Sequence, residues 1–94
     1  MQGDDMTVKV YVLVSAVFDA DGTLIPISLT WEDGTVYAID RVLDIRQVPA
    51  LKAGGQGDRY TVIINGHQSY LFFERNALMT GNNLGRWFVE RRAA

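Results

Sequence analysis

Residues 17–24, VFDADGTL, decide the fold, because the stretch has two incompatible readings. In the first, an apolar strand delivers Asp19 toward phosphorus as a nucleophile, Asp21 handles the leaving group's proton, and helices flank a parallel sheet. In the second, Asp19, Asp21 and Gly22 form a tight turn between antiparallel strands, since Asp binds nearby amides and Gly accepts a left-handed backbone. Phosphoryl transfer needs partners that balance charge on the moving group: a hydroxyl donor, a lysine and further carboxylates for Mg²⁺. The one lysine downstream, Lys52, lies in a glycine-rich stretch, and no paired carboxylates follow it. The turn reading is therefore adopted, and an all-β chain follows from it.

Two more dipeptides punctuate the sequence in the same way. Asp33-Gly34 and Asn65-Gly66 both tolerate positive φ, and both lie between β-branched or aromatic runs, which is a strong local signal for a hairpin. The turns divide the chain into about six strands, near 7–18, 24–32, 35–47, 59–65, 67–74 and 85–91. No segment sustains a helical period, although ERNALM, 74–79, has the composition of a single helical turn. Successive strands with tight turns and no crossover helix predict a small antiparallel meander that closes into an SH3-like or OB-like barrel, since closure removes sticky edges, with a small sandwich as the second choice. Residues 1–6 are expected to be a flexible tail, residues 7–92 one domain, and PALKAGGQGD, 49–58, its long loop.

Strand parity gives specific expectations. Ile25, Ile27, Leu29 and Trp31 alternate with polar residues and are expected to face the core, with Pro26 at an edge, a bulge or the strand's start. In TVYAIDRVLDIRQV the alternation slips at Arg41, and a bulge near Asp40 and Arg41 is the expected cause, because an unpaired buried guanidinium is too costly. A two-residue Asn65-Gly66 loop sets Ile64 opposite His67, Val62 opposite Ser69 and Tyr60 opposite Leu71 as the core face. The other face then pairs Ile63 with Gln68, Thr61 with Tyr70 and Arg59 with Phe72.

Composition bounds the function. A 94-residue chain without cysteine has neither disulfides nor thiolate ligands, and it reads as a cytoplasmic protein. VYVLVSAVF, 10–18, follows Asp4 and Asp5 and is too short to cross a bilayer, so no membrane partner is expected. The net charge of −2 argues against general polyanion binding. Residues 1–47 carry eight acidic and three basic side chains, whereas residues 48–94 carry six basic and three acidic ones. Pairing of acidic with basic strands across the sheet is the expected use of this asymmetry. AGGQGDR lacks the ending of a phosphate loop, and His67 has no second histidine, so no cofactor or metal is expected. No serine, threonine or lysine has a base partner at meaningful spacing, so the chain reads as non-enzymatic.

The aromatic residues carry the remaining signal. Trp31, Tyr37, Tyr60, Tyr70, Phe72, Phe73, Trp87 and Phe88 exceed what one small interior holds, so some belong on the surface. Arg59, Tyr70, Phe72, Arg86 and Trp87 are the candidate site: aromatics beside arginine suit a protein partner or a second copy of the chain, while the plainer reading of the last strand is that Trp87 or Phe88 closes the core and Arg91 and Arg92 form a solvated tail. The alternative for the same residues is a platform for single-stranded nucleic acid, with bases stacked on the rings.

Two resemblances bear on this reading. VFDADGTL resembles the nucleophile loop of haloacid-dehalogenase-type phosphatases, but without the family's other charge-balancing groups the likeness carries no activity. IPISLTWEDGTVYAIDRVLDIR, 25–46, and RWFVERR, 86–92, resemble small β-rich proteins of Gram-positive bacteria that share Pro, Trp, Asp-Gly, Tyr and IDRVLD before a glycine-rich loop. That resemblance implies a small barrel-like fold and assigns no functional residue.

Overall fold

The computed structural model describes residues 7–49, 56–75 and 83–92, and every regular element among them is a strand. In chain order these are β1 (Thr7–Phe18), β2 (Leu24–Thr30), β3 (Val36–Ala38), β4 (Arg41–Pro49), β5 (Gln56–Ile64), β6 (His67–Arg75) and β7 (Gly85–Arg92). They form one curled, half-barrel sheet in the order β3-β2-β1-β7-β6-β5-β4. Two meanders, β1 to β3 and β4 to β7, are joined by the antiparallel β1–β7 ladder from Thr7↔Arg92 to Val12↔Trp87. The same strand β1 then pairs through Leu13–Phe18 with β2, so one 12-residue strand serves both halves.

The three turns form as their sequences require. Gly22, Gly34 and Gly66 all have positive φ, and Asn65 joins Gly66 at φ 53° in the tight loop between β5 and β6. Asp19 and Asp21 are occupied by the turn itself: the amides of Asp21 and Thr23 donate to Asp19 Oδ1 at 3.1 and 2.9 Å, and the Thr23 hydroxyl donates to Asp21 Oδ1 at 2.8 Å. Its hydrogen bonds to the Asp19 side chain and to Thr23 hold the Asp21 carboxyl below the ordinary aspartate value. The stretch that opened two readings is thus a hairpin between antiparallel strands. The β5–β6 register runs from Ile64↔His67 through Tyr60↔Leu71 and Arg59↔Phe72, as the two-residue loop demands.

Seven strands appear where about six were expected, because the 35–47 run changes partners in its middle. The Ile39 amide donates to the Ile27 carbonyl of β2, and the next amide, Asp40, donates to Ile63 of β5. This step carries the chain from one edge of the sheet to the other and accounts for the slip in alternation. Arg41 is exposed. The bulge falls at Leu43 rather than at Asp40–Arg41, between the pairs Val42↔Val62 and Asp44↔Thr61. A second bulge corrects the reading of β2. Ser15 pairs with Ser28 and Ala16 with Pro26, which leaves Ile27 extra and exposed while Pro26 is fully buried. Proline's missing N–H favours that break in the ladder.

The core lies on the inner side of the curl and consists of Leu29, Tyr60, Val62, Leu71, Phe73 and Trp87, with Val12, Trp31, Tyr37 and Val42 packed against it. The Tyr60 hydroxyl donates to the Leu24 carbonyl at 2.6 Å and so ties the two meanders together. Burial first, and then the Asp58 carboxylate, push the Tyr60 phenol up to about 12 against the opposing pull of Arg75. The tail at 1–6, most of the 49–58 loop and the helical turn expected at 74–79 lie outside the described residues, apart from Glu74 and Arg75, which continue β6. No helix among the described residues is long and apolar enough to cross a membrane.

Candidate functional site

The outer face of the sheet follows from the alternation that builds the core. Val12, Trp87, Phe73 and Tyr60 point inward, so their neighbours Tyr11, Phe88, Phe72 and Arg59 point outward, and the ladders bring these four into one row across β1, β7, β6 and β5. Arg46 of β4 extends the row, opposite Arg59. Phe72 and Phe88 stack with ring centroids 4.9 Å apart and planes 4° from parallel, and Tyr11 meets Phe88 edge-on at 5.8 Å. Such pairs add stability beyond their buried area, which fixes the row as a rigid strip.

Cations cover these rings. Arg86 lies 4.1 Å from the centroid of Tyr11, Lys9 lies 4.7 Å from that of Phe88, and Arg59 lies 4.9 Å from that of Tyr70. Phe88 is only 7 % exposed although it is on the outer face, because Lys9, Tyr11 and Phe72 surround it. Glu74 is the carboxylate at the centre. It accepts from Lys9 at 3.0 Å, from the Tyr11 hydroxyl at 3.0 Å and from Arg86 at 3.3 Å. Burial pushes its carboxyl up, but the bonds from Lys9 and Tyr11, the charge of Lys9 and the bond from Arg86 together hold it below the ordinary 4.5. Arg59 has no ion-pair partner among the described residues, and its Nε is closed off from solvent without a hydrogen bond. Arg46, opposite, is paired with Asp44 at 2.8 Å.

The carboxylate of Glu74 therefore holds two cations on aromatic faces, and its loss has a pH signature. A group depressed in the folded state contributes stability above its unfolded value, near 4.5, and that contribution is lost as pH falls through the lower folded value. Glu74→Gln is expected to cost up to about 1 kcal/mol at neutral pH, limited by screening at a site partly open to water. The difference from wild type should vanish in acid. Urea denaturation of both proteins in a series from pH 7 into acid checks this, and a cost that does not shrink as pH falls would contradict the assignment.

Of the five residues singled out from sequence, Arg59, Tyr70, Phe72 and Arg86 lie on this outer face. Trp87 does not, and this corrects the expectation: it is 9 % exposed and packs inward on Tyr60 and Phe73, at centroid distances of 5.1 and 4.9 Å. Sequence reasoning missed Lys9, Tyr11, Glu74 and Phe88 as members of the face. Lys9, Tyr11 and Phe88 join it only through the β1–β7 and β6–β7 ladders, which no local signal announces, whereas Glu74 shares the parity of Tyr70 and Phe72 on β6 and was legible from the hairpin register. The charge asymmetry also resolves differently from expectation. Arg91–Glu32, at 3.2 Å, joins the basic half to the acidic half, but Lys9–Glu74 runs the other way, and Arg75–Asp58 and Arg46–Asp44 stay within their own halves. Asp19, Asp21 and Asp33 accept turn hydrogen bonds instead.

A cavity of about 520 Å³ opens where the β6–β7 ladder stops at Phe72↔Phe88, lined by residues of the inner side and also by Tyr70 and Phe72 of the outer face. Its walls include Leu29, Trp31, Tyr37, Val62, Ile64 and Leu71, and Glu90 is the sole carboxylate residue among its lining. Among the described residues, no three His, Cys, Asp or Glu side chains gather as a metal site would require. Compared with protein-family profiles, curated proteins and solved structures, the chain matches none.

Proposed function

We propose that this chain is a non-enzymatic interaction module whose outer face, around Arg59, Tyr70, Phe72 and Arg86, docks an acidic surface of a protein partner. The single observation that carries this is the row of aromatic rings capped by cations. Lys9 and Arg86 pair with the Glu74 carboxylate, Arg59 pairs with no carboxylate among the described residues, and Glu90 stands opposite Lys9, so three cations meet two carboxylates and this part of the face keeps a positive excess although the chain as a whole is acidic. Tyr70 is 47 % exposed and Arg59 has no carboxylate partner among the described residues, so both can gain contacts on binding. Tyrosine and arginine held in place by their neighbours are the residue types that dominate binding energy at interfaces.

The face suits a protein better than a single strand of nucleic acid. Base stacking needs a bare ring face. Here Arg86 lies over Tyr11, Arg59 lies over Tyr70, and Phe72 and Phe88 stack on each other, so each ring already has one face occupied.

The test uses wild-type chain and the Tyr70→Ala/Phe72→Ser variant as baits against extract of the source cells, followed by titration of the recovered partner in purified form. The expected outcome is a partner with an acidic contact surface whose dissociation constant rises at least about thirtyfold in the variant, the scale of one interface hot spot. If no protein distinguishes the two baits, or if short oligonucleotides bind at low salt and compete, the proposal fails.

A further inference from the structure

Among the described residues the outer edge of β4 has no strand neighbour: the strand order ends there, and β4 pairs with β5 alone. Ile45 lies opposite Tyr60, a core residue, and so shares the inner side of the curl, yet it is 38 % exposed, and no described strand lies beyond the edge to cover it. Leu43, extruded by the bulge, is 44 % exposed beside it. An uncovered strand edge with apolar side chains is a template for another strand.

We infer that a second copy of this chain covers the edge, with β4 pairing antiparallel to β4 about a two-fold axis through Ile45. The charges favour this register over its two nearest alternatives. Side-chain parity allows antiparallel registers only in steps that keep facing residues on the same side. An axis through Asp44 sets two carboxylates against each other, and an axis through Arg46 sets two guanidiniums against each other. An axis through Ile45 sets Asp44 against the other copy's Arg46, twice, and brings the two Ile45 side chains together on the uncovered inner side. Asp44 and Arg46 are already linked at 2.8 Å within one copy, and both are well exposed, so the pair of copies would close a ring of four alternating charges. Opposed charges on directly facing strand residues stabilise pairing, and like charges oppose it. This inference uses a different surface from the acidic-partner face and stands or falls without it, although the two rows of outer-face residues would become continuous through Arg46.

Analytical ultracentrifugation of the full chain is the first measurement, with a dimer expected. Asp44→Arg should raise the dimer dissociation constant at least about tenfold, and the swap Asp44→Arg/Arg46→Asp should restore it to within about threefold, because complementarity returns. Both variants alter only solvent-accessible side chains, and far-UV circular dichroism checks that each is folded. The absence of cysteine allows a direct test of register. Ile45→Cys should form disulfide-linked dimers under mild oxidation, since facing strand residues lie within disulfide reach, whereas Arg46→Cys, which faces residue 44, should not. A folded chain that stays monomeric at its solubility limit, a charge swap that fails to rescue, or equal cross-linking of the two cysteine variants would each overturn the inference. Tyr70→Ala/Phe72→Ser should leave the dimer intact, which separates failure of this surface from failure of the other.

Discussion

Trp87→Ala is expected to remove about 3–5 kcal/mol of stability, the range found when a large aromatic is deleted from a packed interior. The indole is 9 % exposed and wedged between Tyr60 and Phe73, and it belongs to the same cluster as Val62 and Leu71, which are almost wholly enclosed. Domains of this size have about 5–15 kcal/mol in total, so the variant should sit close to its unfolding threshold at room temperature. Urea denaturation would show a midpoint shifted far toward water with little change in slope, because the area exposed on unfolding is nearly the same. Trp87→Phe, which keeps a ring in the site, should lose considerably less and should leave binding at the outer face unaltered. The alternative outcome is informative. A cost below about 1 kcal/mol is what a surface aromatic gives, and it would return Trp87 to the face that the sequence pattern suggested for it.

That residue also marks where reading from sequence stops. Asn65-Gly66 fixes a two-residue loop, and the loop fixes a register, so Tyr60, Val62 and Leu71 are legible as core and Arg59, Tyr70 and Phe72 as the opposite face from local information alone. In GRWFVERR, by contrast, both Trp87 and Phe88 are apolar, and parity alone does not say which turns inward. The answer depends on Val12 and Tyr11 of β1, more than 70 residues away along the chain, which pair with Trp87 and Phe88 respectively. Lys9 and Glu74 were invisible as partners for the same reason. The bulges form a middle case. Pro26 signals a broken ladder but not which residue is extruded, and the faulty alternation around Arg41 signals a slip whose cause is a change of partner, visible only once β2 and β5 are both in place.

Gly85→Ala is the second large effect, and its sign separates the structure from a propensity argument. Glycine weakens a strand interior, so propensity alone predicts that alanine here stabilises by a few tenths to about 1 kcal/mol. Gly85 has no positive φ, so its backbone conformation does not require glycine. The space does. A Cβ at this position would overlap the Glu74 carbonyl oxygen, lie 2.8 Å from Phe73 Cζ and lie 3.2 Å from Arg75 Cα. Two of these three atoms are backbone of the facing strand, and the third belongs to a core ring held by Trp87, so none can swing aside. The ladder between β6 and β7 is only four pairs long and Arg75↔Gly85 is its last, so the strands would part there instead. The expected result is a loss of about 1–3 kcal/mol, the usual cost of overpacking, with faster hydrogen exchange at Arg86 and Trp87. Gly57 is the internal control: its Cβ would approach only the Phe73 carbonyl oxygen, at 3.0 Å, so Gly57→Ala should cost clearly less. A Gly85→Ala protein more stable than wild type would mean that β7 does not approach β6 as closely as this, and the row of Phe72, Phe88 and Tyr11 that depends on that approach would lose its basis.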